Sequence, residues 1–231
     1  MVSSRLGWAL FGIGLGTTVA GVILVARERH KALEGLGRQL KQLPEGTPVV
    51  STTHAGGMVV QHRRSRHMPI QERVANIQKL VWESVQDPRM IKLAREITYN
   101  APERDGKAEA EAIFKAVKAR IRYTGDIAPV KMPDGKVEPI DLYQSAWRTW
   151  EFKGGDCDDH SILLATLLTL NGITAKLRVT APSKSSDWQH IYTVAMLPKF
   201  SPKKAVALDT TLPGHRFNYE VPYAKHLDFD V

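Results

Sequence analysis

Cysteine occurs once in this chain, at Cys157, in the stretch Gly154-Gly155-Asp156-Cys157-Asp158-Asp159-His160 just ahead of the apolar run Ile162 to Leu168. A thiol placed where a glycine turn feeds a helix is a candidate nucleophile, because helix N-terminal amides and the helix dipole stabilise a thiolate. A free thiol ionises near pH 8.5, so at neutral pH a base must assist it. His190 stands at the head of the strand-like run Ile191 to Val194, and Asp209 closes another such run, Ala205 to Leu208. The order Cys, His, Asp, with separations of 33 and 19 residues, suits a thiolate–imidazolium pair oriented by a carboxylate. Asp156, Asp158 and Asp159 oppose a thiolate by like-charge repulsion, so the imidazole has to outweigh them.

Each of these residues also has a plain structural reading. Cys157 can be a buried packing residue, His190 a surface histidine beside Trp188, and Asp209 a turn residue at a strand end. A metal centre fits poorly. Successive carboxylates at a helix start cannot all face one ion, and the chain has neither a second cysteine nor a His-x-x-x-His pair. No metal and no organic cofactor are expected.

The periodicity supplies elements to position the three groups. Val74, Ile77, Leu80, Val81 and Val85 mark one amphipathic helix, Pro88 to Tyr99 a second, and Lys107 to Tyr123 a third. The helix that starts at Cys157 stops at Asn171-Gly172. Beyond it the period becomes two: Ile173, Ala175, Leu177 and Val179 alternate with polar residues, and strands follow at Ile191 to Leu197 and Lys204 to Leu208. Helices first and an antiparallel sheet after them predict an α+β domain.

The Gly154 to Leu168 stretch, His190 entering a strand and Leu208-Asp209-Thr210 closing the next together resemble the transglutaminase-like superfamily, a branch of the papain-like fold. The helix Ala112 to Tyr123 is similar to the family's lead-in helix, and the resemblance covers roughly residues 70 to 215. It implies a papain-like transglutaminase core and a Cys157, His190, Asp209 triad. It also implies a side-chain donor upstream of the cysteine, for which Gln144 and Trp147 are candidates as oxyanion or substrate-positioning groups. The Cys157 amide, at a helix start, is a further candidate donor.

With 231 residues, 43% hydrophobic and 24% charged, the chain holds one well-cored domain and an appendage. Gly7 to Ala26 is a run of 20 residues without a charge, flanked by Arg5 and by Arg27, Arg29 and Lys31, which is the length of a membrane-spanning helix. A cleavable signal peptide, or a helix buried in an assembly such as a virus particle through Gly12 and Gly16, are the alternatives. The expected division is an apolar helix and its continuation over 1–43, a basic linker over 44–69, with a short strand at Met58-Val59-Val60, and the catalytic-type domain over 70–231. The net charge of +8 lies mostly in the first part: residues 1–73 carry +6 and residues 74–231 only +2, so nucleic acid is not an expected partner of the domain.

The sequence therefore predicts a tethered, cysteine-dependent amide-bond hydrolase or acyltransferase, of protease, amidase or transglutaminase type, acting on a protein or peptide. Its localisation would be single-pass membrane or virion-associated, with topology and oligomeric state left open. The competing expectation is an inert transglutaminase-like structural or binding protein of a phage particle or envelope assembly.

Overall fold

The computed structural model describes residues 50–55, 58–63, 69–125, 130–131, 137–138 and 140–231. The apolar segment Gly7 to Ala26 lies outside them. Among the described residues no helix is long and apolar enough to cross a membrane.

Three helices come first: α1 (Ile70–Ser84), α2 (Pro88–Thr98) and α3 (Gly106–Arg120). Asp87 caps α2, accepting from the Arg89 amide, with Pro88 at the first helical position, where a missing N–H costs nothing. Asp105 caps α3 through the amides of Lys107 and Ala108. The third helix ends earlier than its apolar period predicts. Ile121 turns extended (φ −97°, ψ 122°), and Arg122–Tyr123 form a short strand, β3, which runs parallel to the two-residue β7 (Gly154–Gly155). The Arg122 amide bonds to the Lys153 carbonyl and the Thr124 amide to that of Gly155, so a long-range pairing overrides the helical tendency there.

Helix α4 (Ala146–Phe152) and helix α5 (Cys157–Leu170) follow. Every residue from Asp159 to Leu168 is buried, which makes α5 the central helix, packed by α1, α2, α3 and α4 on one side and by the sheet on the other. The sheet has the order β10-β9-β8-β11, built from β8 (Ala175–Ala181), β9 (His190–Leu197), β10 (Lys204–Leu208) and β11 (Lys225–Asp230), all antiparallel. The fold is a mixed helix and antiparallel-sheet architecture, as the change of period predicts.

Two features differ from the sequence expectation. Within 44–69, the strands β1 (Val50–Ala55) and β2 (Met58–Arg63) form an antiparallel pair, and β2 pairs in turn with β6 (Ile140–Gln144). Thr and Val on both sides of Gly56-Gly57 carry that hairpin tendency. The edge strand β11 was not expected, because its Lys, His and Asp residues hide an alternation of Leu227 and Phe229. What holds it is Arg178 of β8. The guanidinium donates to both Asp228 oxygens at 2.7 Å and to Glu220 at 2.6 Å, while the Tyr192 hydroxyl donates to the same Glu220 oxygen at 2.9 Å.

Arg178 is only 9% exposed, so its removal strands two carboxylates at a half-buried edge. Arg178→Met should cost about 2 kcal/mol in a urea melt, less than for a wholly buried pair because Asp228 and Glu220 keep some solvent. A variant with an unchanged midpoint would remove Arg178 as the reason β11 joins the sheet.

Candidate active site

The Cys157 end of α5 is built by carboxylates that bond to main chain. Asp156, in extended conformation, is the N-cap, its Oδ1 accepting from the amides of Asp158 at 3.1 Å and Asp159 at 3.2 Å. Asp159 reaches back to the Asp156 amide and completes a capping box. Asp159 is fully buried and also accepts from the Gln144 amide at 2.7 Å and from Gln144 Nε2. A Cβ on Gly155 would stand 2.5 Å from Asp159 Cβ, so only glycine lets the chain pass so close. The acidic, glycine-rich stretch around the cysteine is thus a helix-start clamp. Asp158 is the carboxylate that stays near the thiol, 3.9 Å from Sγ.

Cys157 is half-buried and packs on the main core. One turn further along α5, the Ser161 hydroxyl donates to the Cys157 carbonyl at 2.7 Å and approaches the Ile191 carbonyl at 3.3 Å. Thr193 Oγ1 donates to the Ser161 carbonyl at 3.0 Å. These bonds lock the first turn of α5 onto the first residues of β9, so the main chain at Cys157 and the main chain beside His190 are bridged by a single hydroxyl.

His190 and Asp209 meet directly. His190 Nε2 lies 2.8 Å from Asp209 Oδ2, and the Asp209 side chain is fully buried. The register explains the pairing: Leu208 opposes Thr193, so the next residue, Asp209, falls opposite Tyr192, diagonal to His190 on the same face. The His190 and Tyr192 rings are 5.6 Å apart. Asp209 Oδ1 accepts from the Thr211 amide at 3.1 Å and its hydroxyl at 2.7 Å. Burial alone would raise the Asp209 carboxyl, but the His190 bond and charge and the two Thr211 donors outweigh it and hold it at about 2.

The upstream candidates are engaged elsewhere. Gln144 is fully buried, and its amide nitrogen donates to Asp159 and to the Gly154 carbonyl at 3.2 Å, which occupies both hydrogens. Its place is under the helix start, where it fixes the clamp, so it has no hydrogen left for an oxyanion. Trp147 packs against the core with the Arg89 guanidinium 4.8 Å over its ring, and its buried Nε1 has no hydrogen-bond partner among the described residues.

Two histidines join the site that the spacing of residues did not single out as catalytic. His160 is buried, with Nδ1 2.7 Å from Thr210 Oγ1, so it ties α5 to the strand end that carries Asp209. Burial pushes its imidazole down to about 4, against smaller opposing effects of the Arg122 main chain and the Asp209 charge. His215 is 7% exposed, and its Nδ1 lies 3.2 Å from Asp209 Oδ2 without the alignment of a hydrogen bond. The sequence signal at His215 is only Pro213-Gly214, which marks a turn. On the other flank, a cleft of about 40 Å³ opens beside His190, lined by Ile70, Arg73, Val74, Ile77, Tyr143, Val179 and Trp188. Among the described residues no group of three or more His, Cys, Asp or Glu is arranged to hold a metal ion.

Residues 91–205 match the family model of the transglutaminase-like superfamily, a span that holds Cys157 and His190 and stops short of Asp209. The chain belongs to that superfamily. Among solved structures it is similar to a Parabacteroides distasonis protein called a "putative protease" (15% identity, TM-score 0.41, covering 53% of this chain and 24% of that one). A Cytophaga hutchinsonii protein called a "putative cysteine protease" is 16% identical (TM-score 0.39, 67% of this chain and 49% of that one). A third, called a TGase, is 15% identical (TM-score 0.36, 76% of this chain and 47% of that one). The chain thus spans from about a quarter to about half the length of these proteins. No curated protein matches it.

The buried His160 has a measurable consequence. Its folded-state value near 4 lies below the free value of 6.5, so the unfolded chain binds more protons between those limits and folding stability is lost as pH falls through them. The loss from this one group should reach about 3 kcal/mol, while the Asp209 contribution is lost only between 3.8 and about 2. Unfolding curves of wild type and His160→Asn across this range should differ in slope between pH 6.5 and 4; identical slopes would contradict it.

Proposed function

We propose that this protein is a cysteine-dependent enzyme of acyl transfer from amides, with Cys157 as nucleophile, His190 as general base and acid, and Asp209 as the group that orients His190. The observation that carries the reading is the 2.8 Å bond from His190 Nε2 to Asp209 Oδ2, which leaves Nδ1 as the ring nitrogen that serves the thiol. Two supports stand beside it. The Ser161 hydroxyl holds the main chain of Cys157 and Ile191 together, and the superfamily includes enzymes of this chemistry.

The steps follow from those positions. The Cys157 thiol gives its proton to His190 Nδ1, and the thiolate, stabilised by the α5 amides, attacks the carbonyl carbon of an amide. A carbon–sulfur bond forms and the carbonyl electrons move onto oxygen, where the Cys157 amide is the candidate donor. The oxyanion collapses, the carbon–nitrogen bond breaks, and the amine leaves with the proton held by His190. A thioester remains on Cys157. Water, or an amine, loses a proton to His190 and attacks that carbonyl; the carbon–sulfur bond breaks, and a carboxylic acid or a new amide is released. Asp209, held at a low value and shielded from solvent, stabilises the imidazolium in both halves. The steps use no metal and no organic cofactor.

The substrate class we assign is a protein or peptide. Hydrolysis is the favoured outcome, because among the described residues none in the site marks an amine-binding position.

Incubating the protein with casein, with and without a fluorescent primary amine, separates the outcomes. The proposal expects peptide-bond cleavage or ammonia release that disappears in Cys157→Ala and falls by about a hundredfold or more in His190→Ala. Ammonia or amine is expelled in both branches, so incorporation of the fluorescent amine alongside that release would assign the transferase branch, and release without incorporation the hydrolytic one. Residual activity in Cys157→Ala equal to wild type would contradict the nucleophile assignment.

A further inference from the structure

Asp209 is held by more than its bond to His190. The loop over residues 212–219 folds back over the carboxylate, and its His215 brings Nδ1 to within 3.2 Å of the same Oδ2 atom that binds His190. Three contacts hold this loop in place. Lys118 of α3 donates to the Leu212 carbonyl at 2.8 Å, Phe217 meets the edge of Phe114 at 5.9 Å, and the Asn218 amide bonds to the Ala207 carbonyl at 3.0 Å. The His215 ring leans on Tyr219 at 5.0 Å. A turn that merely covered the sheet end would need no imidazole buried to 7% exposure against a buried carboxylate.

The arrangement has a clear chemical demand. Oδ1 of Asp209 is satisfied by Thr211 through two donors, whereas Oδ2 has His190 on one lone pair and His215 beside the other. A carboxylate oxygen accepts two hydrogen bonds, so the second position on Oδ2, with His215 Nδ1 3.2 Å away, suits an N–H donor. The contact is off the hydrogen-bond axis. Among the described residues, His190 from β9, His160 from α5, Lys118 from α3 and His215 from the loop all interact with Asp209.

We infer that His215 is a positioning residue for the triad: its Nδ1–H fixes the Oδ2 atom of Asp209 so that this oxygen stays directed at His190 Nε2. It touches neither substrate nor thiol and acts through Asp209 alone. The inference rests on the Cys157, His190, Asp209 reading above. It adds a fourth member, supplied by a loop beyond the end of the span that matches the family, 91–205.

The test is the rate of Cys157 alkylation by iodoacetamide as a function of pH in the full chain, for wild type, His190→Ala, His215→Leu and His215→Asn. Leucine fills the volume without a donor, whereas the asparagine amide nitrogen occupies nearly the place of Nδ1. His215→Leu should lose about tenfold in rate near neutral pH, toward the His190→Ala profile, and His215→Asn should recover to within about threefold of wild type. Equal melting temperatures with equal loss in both variants would assign His215 to packing and overturn the inference. Wild-type profiles in both would overturn it as well. A wild-type profile already identical to that of His190→Ala would instead sink the triad itself, and the His215 role with it. Should His215→Leu not fold, His215→Phe, which keeps a ring without a donor, carries the same test: a loss of about tenfold supports the inference, and an unchanged rate contradicts it.

Discussion

One buried carboxylate organises the molecule. Asp159, fully enclosed at the first turn of α5, accepts from the Gln144 amide, from the Gln144 side chain and from the Asp156 amide. Strand β6, the glycine pair before the cysteine and the start of the central helix therefore meet on one side chain. A buried charge without such partners costs several kcal/mol, and removing any partner exposes that cost. The position of Cys157 follows from this constraint, because the residue sits between the N-cap Asp156 and Asp159 and cannot shift without breaking the capping box.

The second half of the site comes from the sheet. His190 opens β9 and Asp209 follows the end of β10, and the antiparallel register sets them diagonally on one face. Helix and sheet are then joined by short polar bonds instead of apolar packing alone: Ser161 to Ile191, Thr193 to Ser161, and His160 to Thr210. Each lies within a few residues of a triad candidate. Together they tie the first turn of α5 to the strand ends that carry His190 and Asp209.

Much of this was legible in the residues. The apolar period of α1 and α2, the change to a period of two at β8, and the Asn171-Gly172 stop of α5 follow from local chemistry, and the structure places those elements accordingly. His190 and Asp209, singled out as strand-end groups, are hydrogen-bonded. What escaped the sequence depends on partners far away along the chain. Arg178 reaches Asp228, 50 residues on, to recruit β11, and β3 forms only because Gly154–Gly155 lies beside it. His215 carries no local pattern, since its role is defined by a loop closing on Asp209. The place of Gln144 upstream of the cysteine suggests a donor, whereas in the folded chain Asp159 and Gly154 engage its amide.

The central proposal is that His190 takes the proton of the Cys157 thiol. Ultraviolet absorbance of the thiolate, followed through a pH titration of wild type and His190→Ala, reads it directly, since Cys157 is the sole thiol of the chain. The account predicts a wild-type thiol that ionises well below the ordinary value and returns toward about 8.5 when His190 is removed. A thiol that titrates at its ordinary value in both proteins would contradict it.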